Sequence, residues 1–130
     1  MASNGIFIVD DNPINLKLVR LVLQGEGYEV HTAGDANETR AALEHVKPDL
    51  ILMDLQLPVV SGFELTRQLR QDRRFDAVWI VALTACAMPG DELKALAAGC
   101  DGYVTKPIDT EALPATIAAF LARRRANAEI

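Results

Sequence analysis

The sequence predicts an α/β fold in which a five-stranded parallel sheet carries helices on both faces. Short apolar runs alternate five times with amphipathic stretches along the 130 residues. Three of these runs are nearly continuous in apolar residues, as strands buried on both faces require. Repeated strand–helix units give right-handed crossovers and cover both faces of the sheet. We expect one domain with a core over about residues 6–122 and loose tails at 1–4 and 126–130.

The predicted strands are three to six residues long. The second strand is the least apolar, which indicates a position nearer the edge of the sheet, and the fifth strand is the shortest. In chain order the predicted strands span residues 6–9, 29–33, 50–53, 78–83 and 102–104.

The first predicted helix spans residues 14–24 and repeats apolar side chains on one face. A proline directly before this range suits a first helical turn, and two glycines shortly after it suit an end. The repeated apolar residues are Ile14, Leu18, Leu21 and Val22.

Four further helices are predicted from the residues at their ends. The second follows a capping box formed by Asp35 and Glu38 and ends near His45. The fourth ends before Gly99, a typical C-cap, and the fifth tolerates Pro114 only in its first turn. The third helix begins after a serine–glycine turn. The predicted ranges of the third, fourth and fifth helices are 63–69, 89–98 and 109–125.

Composition and charge argue against several classes of protein. The formal net charge of -5 argues against a nucleic-acid partner, which needs a basic face. No apolar run approaches the roughly 20 residues of a membrane helix, and the first residues do not resemble a signal peptide. The two cysteines, Cys86 and Cys100, form neither a CxxC pair nor a disulfide framework. We expect a protein of the reducing cytoplasm without a membrane partner.

The polar residues that can carry chemistry follow the carboxyl ends of the predicted strands. Ligands bind at that edge in sheets of this kind. The second strand ends without a reactive side chain. The first strand is followed by two carboxylates, the third by one, the fourth by a hydroxyl, and the fifth leads to an ammonium group. These residues are Asp10, Asp11, Asp54, Thr84 and Lys106.

Three carboxylates at one edge repel one another if the first and third strands are neighbours. At about 5 Å and an effective dielectric near 20, each pair costs roughly 3 kcal/mol. Protonation or a divalent cation relieves this repulsion. Oxygen ligands without a nearby His or Cys favour Mg²⁺, or Mn²⁺ in its place. Taken alone, Asp11 would be interpreted as a helix N-cap and Lys106 as a surface lysine. Their joint placement favours a shared site.

Four stretches stand in the order and spacing of one signalling family. They are residues 9–12 (VDDN), 53–58 (MDLQLP), 83–85 (LTA) and 103–107 (YVTKP). From about residue 6 to residue 121 the chain resembles the receiver domains of two-component response regulators. Within that family it is most similar to stand-alone cell-cycle regulators and to the receivers of hybrid kinases.

The resemblance implies a flavodoxin-like fold with strand order 2-1-3-4-5. It implies that Asp54 accepts a phosphoryl group from a phosphohistidine on a partner protein. Asp11, Asp54 and the backbone carbonyl of Gln56 would bind Mg²⁺ directly, and Asp10 would bind it through a water molecule. In this site the metal cancels repulsion between the nucleophile and the phosphate.

The resemblance also implies a phosphate site and a conformational switch. Thr84, Lys106 and the backbone N–H of Ala85 would hold phosphate oxygens. A cis peptide bond is implied between Lys106 and Pro107. In the family mechanism Thr84 moves toward the phosphate, and the ring of Tyr103 turns into the space that it leaves. This remodels the face formed by the fourth helix, the fifth strand and the fifth helix.

The implied partners are proteins. They are a sensor histidine kinase or histidine phosphotransfer protein as donor, and a downstream target at the face just described. The chain would not be an enzyme, since it would catalyse only its own phosphorylation and dephosphorylation. We expect a monomer or weak dimer, and no effector domain after the fifth helix. Whether the chain stands alone or is excised from a hybrid kinase stays open.

Two other functions remain as alternatives. A small phosphatase of the haloacid dehalogenase type also uses an Asp nucleophile with Mg²⁺, Thr and Lys, but needs a second Asp two residues later. That position holds Gln56. A flavin-binding electron carrier of the same fold needs a Ser/Thr/Gly-rich phosphate loop after the first strand, where Asp10 and Asp11 would repel a phosphate.

Overall fold

Five parallel strands form one sheet, in the order second, first, third, fourth, fifth. The computed structural model describes residues 5–84 and 90–128, apart from the side chains of residues 91, 92 and 125–128. The predicted fold class and strand order are confirmed. Residues 1–4 and 129–130 of the predicted tails, and the predicted positions Ala85, Cys86 and Pro89, lie outside the described residues. The strands are β1 (Gly5–Val9), β2 (Glu29–Ala33), β3 (Leu50–Asp54), β4 (Trp79–Thr84) and β5 (Gly102–Thr105).

The central strands are the ones with continuous apolar runs. Every residue of β3 is buried, and in β1 and β4 only the first residue is partly exposed. Strands covered on both faces need apolar side chains in both directions, which explains why these runs do not alternate. The weaker β2 forms one edge of the sheet, as predicted, and its first residue is exposed.

The helices cover both faces of the sheet. One face packs against the first and fifth helices, and the other packs against the second, third and fourth. A short 3₁₀ helix at Arg73–Phe75 was not predicted. In the described part of the chain, no helix combines the length and the apolar character needed to cross a bilayer. The helices are α1 (Pro13–Gly25), α2 (Ala36–Leu43), α3 (Gly62–Arg70), α4 (Asp91–Ala98) and α5 (Leu113–Ala128).

The predicted caps of α2 and α4 are present. The Asp35 side chain accepts a hydrogen bond from Glu38 N at 2.8 Å, and the Glu38 carboxylate accepts one from Gly34 N at 2.6 Å. The reciprocal bond of the capping box is therefore made one residue before the N-cap. Gly99 ends α4 with φ 112°, a left-handed conformation that favours glycine.

Asp11 does not cap α1, so the alternative that would apply to this residue taken alone is wrong. The N-cap of α1 is Asn12, whose side-chain oxygen accepts from Ile14 N at 2.9 Å and from Asn15 N at 3.3 Å. Asp11 precedes the cap and is exposed. It is therefore available at the edge of the sheet instead of being used by the helix.

The apolar face predicted for α1 points mostly to solvent. Ile14, Leu18 and Leu21 are 74%, 46% and 54% exposed, whereas Val19 and Leu23 are buried against the sheet. Apolar residues occupy two neighbouring faces of this helix, and periodicity alone does not say which face the sheet covers. We call the three exposed residues the α1 ridge.

The fifth helix begins four residues later than predicted. The Asp109 side chain accepts hydrogen bonds from Glu111 N and Ala112 N, which forms a separate turn before Leu113. Pro114 has no N–H to donate to the turn that precedes it, so the regular helix starts beside it. Pro114 lies in the first turn, as predicted.

Candidate functional site

Three carboxylates meet at the carboxyl edge of the sheet. In the register of β1 with β3, Val9 pairs with Met53, which brings the next residue of each segment, Asp10 and Asp54, side by side. Asp10, Asp11 and Asp54 each place one carboxylate oxygen within 4.8 Å of the others. The predicted convergence of these side chains is present in the structure.

Asp10 is almost completely buried, with 1% of its surface exposed. Its Oδ1 accepts a hydrogen bond from Asn12 N at 2.9 Å. Its Oδ2 lies 3.2 Å from Lys106 Nζ, but among the described residues it accepts no directed hydrogen bond. This buried oxygen therefore has an ion pair but retains the capacity to accept a hydrogen bond.

Asp54 and Lys106 form an ion pair at the centre of the site. Asp54 is 3% exposed, and its Oδ2 accepts from Lys106 Nζ at 3.0 Å. Its Oδ1 accepts from Gln56 N at 2.9 Å, which fixes the plane of the carboxylate. The backbone N–H of Lys106 donates to Thr84 O at 2.7 Å. The peptide bond between Lys106 and Pro107 is cis, as predicted.

Burial and neighbouring charges shift the pKa values of both Asp54 and Lys106. Burial raises the pKa of the Asp54 carboxyl, although hydrogen bonds from Gln56 N and Lys106 oppose the shift. Burial alone would lower the pKa of Lys106, but its contacts with the carboxylates of Asp54 and Asp10 outweigh burial, and the net pKa is raised. The site without metal therefore holds protons more tightly than exposed groups do.

The residues present fit a hard divalent cation. The cluster offers only carboxylate oxygens, and the buried Asp10, whose Oδ2 accepts no directed hydrogen bond among the described residues, is one of its members. Asp11 is exposed and contributes an oxygen from the solvent side. Such a cation is bound through one or two carboxylates while several waters stay in place, which is the usual arrangement for Mg²⁺. An acidic pocket compatible with Mg²⁺ is thus present.

Added Mg²⁺ is expected to stabilise the fold through this cluster. At a free concentration about tenfold above the Kd, the gain is about 1.4 kcal/mol, or about 5 °C in Tm for a domain of this size. The measurement is thermal unfolding in MgCl₂ against NaCl of equal ionic strength. Asp11→Asn should remove most of the Mg²⁺-dependent shift, and an equal shift in this variant would place the ion elsewhere.

The remaining predicted residues surround this centre. Thr84 ends β4 and is 9% exposed. Gln56 is exposed beside Asp54, and its N–H is already used by that carboxylate. Tyr103 lies on the edge strand β5 with 39% of its surface exposed, so its side chain is directed outward here. Ala85 lies outside the described residues.

Sequence reasoning missed the part that Gly62 plays in the site. Gly62 N donates to Leu55 O at 3.1 Å. A Cβ atom at Gly62 would overlap the carbonyl oxygen of Asp54 and approach Leu55 Cα to 2.7 Å. The backbone of Asp54 therefore packs directly on the start of α3. The sequence offered one indication of this close contact, a glycine at the beginning of a predicted helix, where other residues are usually preferred.

Comparison with known proteins gives one consistent result. Residues 6–118 match the model of the response regulator receiver domain. The chain is 41% identical over 120 residues to the polar-differentiation response regulator DivK of Brucella ovis, covering 92% of this chain and 97% of that protein.

Solved structures show the same similarity in three dimensions. The chemotaxis response regulator CheY4 of Vibrio cholerae superposes with a TM-score of 0.86 at 30% identity, covering 91% of this chain and 98% of that one. The receiver domain of a sensor histidine kinase from Pseudomonas aeruginosa superposes with a TM-score of 0.83 at 34% identity, covering 93% and 99%. That structure has a magnesium ion coordinated in the active site cleft.

Proposed function

Because the chain belongs to the family of response regulator receiver domains, we propose that Asp54 accepts a phosphoryl group from a phosphohistidine donor. The family membership confirms the predicted resemblance and makes the chain a signalling domain of two-component systems. The observation that carries the proposal is the buried Asp54, paired with Lys106 and grouped with Asp10 and Asp11. A nucleophile surrounded by charge of both signs suits a reaction that depends on positioning and charge neutralisation.

The chemistry follows from the groups at this edge. A carboxylate oxygen of Asp54 attacks the phosphorus, and the bond between phosphorus and the histidine nitrogen breaks, returning its electron pair to that nitrogen. The product on this chain is an acyl phosphate. Lys106 donates to Oδ2 before transfer and is positioned to pair with a phosphate oxygen after it. Attack by water on the phosphorus then releases inorganic phosphate and restores Asp54.

In the proposed metal site, Asp11, Asp54 and the backbone carbonyl of Gln56 would bind Mg²⁺ directly, and Asp10 would act through a water molecule. Mn²⁺ offers the same coordination chemistry and would substitute. When bound, the ion supplies positive charge that cancels repulsion between Asp54 and the incoming phosphoryl group. Oδ2 of Asp10 pairs with Lys106 by charge but accepts no directed hydrogen bond among the described residues, and this supports its assignment, since a metal-bound water would donate to that oxygen.

The proposed response to phosphorylation starts at Thr84. Its hydroxyl, with the Ala85 N–H and Lys106, holds phosphate oxygens. Movement of Thr84 toward the phosphate would leave space for the ring of Tyr103, whose outward position supports an unphosphorylated starting state. The shape change then appears on the face formed by α4, β5 and α5. Exposed Leu93 and Leu96 give that face an apolar character suited to a protein target.

The proposed donor is a sensor histidine kinase or a histidine phosphotransfer protein, and the α1 ridge supports a docking position for it. Leu18 also lines a groove of about 400 Å³ with Lys106, Pro107 and Ile108. An apolar surface that continues to the reactive site can hold a donor while its histidine reaches Asp54. We further propose a cytoplasmic monomer or weak dimer that catalyses only its own phosphorylation and dephosphorylation.

Replacing Leu18 with Gln is expected to slow phosphotransfer from a protein donor about tenfold, because buried apolar anchors dominate interface energies. Acetyl phosphate does not need this surface, so labelling by it should stay unchanged. The measurement is the initial rate with a phosphorylated kinase chosen by phosphotransfer profiling. Leu93→Gln, the same substitution at an exposed leucine on α4, is the matched control and should keep the wild-type rate. Equal slowing in both variants would contradict a donor site on the α1 ridge.

The proposed function is tested by labelling. Acetyl phosphate with Mg²⁺ should add one phosphoryl group per chain, detected by intact-protein mass, and EDTA should prevent it. Many turnovers of a phosphate ester per chain would instead favour the phosphatase, and a yellow purified protein would favour the flavin carrier. No labelling by acetyl phosphate or by any phosphohistidine donor would contradict the proposal.

A further inference from the structure

Arg70, the last residue of α3, makes four hydrogen bonds that the proposed phosphoryl chemistry does not use. Its Nε donates to Gly99 O at 2.8 Å, and its Nη1 donates to Phe75 O at 3.0 Å and to Val78 O at 2.8 Å. Its Nη2 donates to the Asp101 carboxylate. One planar guanidinium group thus connects two separate segments of the chain, residues 75–78 and 99–101, to the end of α3.

These bonds join the end of α4 and the start of β5 to the start of β4. The same Asp101 oxygen that binds Arg70 accepts from Ile80 N at 2.9 Å, and Asp101 N donates to Ile80 O. A Cβ at Gly99 would lie 2.5 Å from Arg70 Cγ, so the arginine stem crosses directly over the helix end. The side chains of Arg70 and Asp101 are only 21% and 31% exposed, which limits screening of the pair.

The opposite end of α4 is held differently. Its N-cap is Gly90, which has no side chain with which to cap the helix. In the sequence, residues 85–89 alone separate Gly90 from Thr84, the residue proposed to move toward the phosphate. A displacement at Thr84 therefore reaches α4 at the end that Arg70 does not hold.

We propose that Arg70 with Asp101 forms a pivot that fixes the C-terminal end of α4, so that phosphorylation at Asp54 rotates the helix about this end. The inference rests on the proposed function. With this end fixed, the displacement decreases along the helix from Gly90 toward Gly99, so that Leu93 moves more than Gly99. Arg70 is thus a positioning residue for the signalling face and does not touch the phosphate.

The test compares Arg70→Lys with wild type by ¹H–¹⁵N NMR before and after acetyl phosphate and Mg²⁺. In wild type, phosphorylation should shift the Leu93 and Tyr103 amides and leave Gly99 and Cys100 nearly unchanged. A lysine has one nitrogen and cannot join all these segments. The phosphorylation-dependent shifts at Gly99 and Cys100 should then rise at least about threefold, a change that lost stability alone would not produce.

Arg67→Lys is the matched control, one turn earlier on α3, because Arg67 pairs only with exposed Glu64 among its described contacts. Asp101→Asn keeps an oxygen that can accept from Ile80 N. In this variant the phosphorylation-dependent shifts at Gly99 and Cys100 should also rise, but by less than in Arg70→Lys. It replaces Arg70→Lys in the test if that variant does not fold. Wild-type labelling at Asp54 with equal shifts at Leu93 and Gly99, or a variant pattern identical to wild type, would overturn the pivot. Absence of labelling in wild type would instead overturn the proposed function, and the pivot with it.

Discussion

Asp54→Asn is expected to lose phosphoryl incorporation from both acetyl phosphate and a phosphohistidine donor, to at least about a thousandfold below wild type. Asparagine has the shape of the carboxylate, and its oxygen can still accept from Gln56 N or Lys106. Its amide is a poor nucleophile and carries no charge to offset Lys106 or a metal. The measurement is phosphoryl stoichiometry by intact-protein mass under conditions that label wild type fully.

The fold of this variant should be retained, which separates lost chemistry from lost structure. A carboxyl whose folded pKa is raised adds stability below its unfolded pKa and loses it as pH rises through the folded value. The pKa of Asp54 is raised by burial. At neutral pH without metal, removing the charge should therefore leave Tm unchanged or higher, although Lys106 loses part of its pairing.

Asp109→Asn is the control for Asp54→Asn, because an asparagine oxygen can still accept from Glu111 N and Ala112 N. It should label like wild type. Labelling of Asp54→Asn at wild-type stoichiometry would show that another residue is the nucleophile, with Asp10 and Asp11 as the first to examine.

The location of the carboxylate cluster was predictable because the strands of a parallel sheet all run in the same direction. All carboxyl ends lie at one edge, so a residue that follows a buried strand is placed there without knowledge of side-chain contacts. Asp10, Asp54 and Lys106 follow this rule. The adjacency of β1 and β3, on which the convergence of the carboxylates depends, came from the family resemblance and not from the strands themselves.

What the sequence did not reveal depends on contacts between distant segments. The α1 ridge is as apolar as the face that the sheet covers, and only the packing of α1 distinguishes them. In the sequence, Arg70 is an ordinary charged residue at the end of a predicted helix. Its hydrogen-bond partners lie up to 31 residues away in the chain. Gly62 marks a turn in the sequence, but its contact with the Asp54 backbone exists only once α3 is docked against β3.

That contact makes Gly62→Ala the most damaging small substitution that we expect in this chain. The added Cβ would overlap Asp54 O and lie 2.8 Å from Asp54 C, and both are backbone atoms that cannot rotate away. The loop between β3 and α3 must then open. Overpacking of this kind costs about 3 kcal/mol, or about 10 °C in Tm. Displacement of Asp54 from Lys106 should also lower the initial labelling rate, by at least about tenfold.

Gly25→Ala is the matched control, because a Cβ at Gly25 meets no atom within 4 Å, and this glycine is also at a helix end. It should keep the wild-type labelling rate and leave Tm unchanged or slightly higher, since alanine lowers the entropy of the unfolded chain. The two measurements are Tm by thermal unfolding and initial rate with acetyl phosphate at a temperature where both variants are folded. If Gly62→Ala matched Gly25→Ala in both, the backbone of Asp54 would not depend on its contact with α3, and the position of the Asp54 carboxylate would have to be set by Lys106 and Gln56 alone.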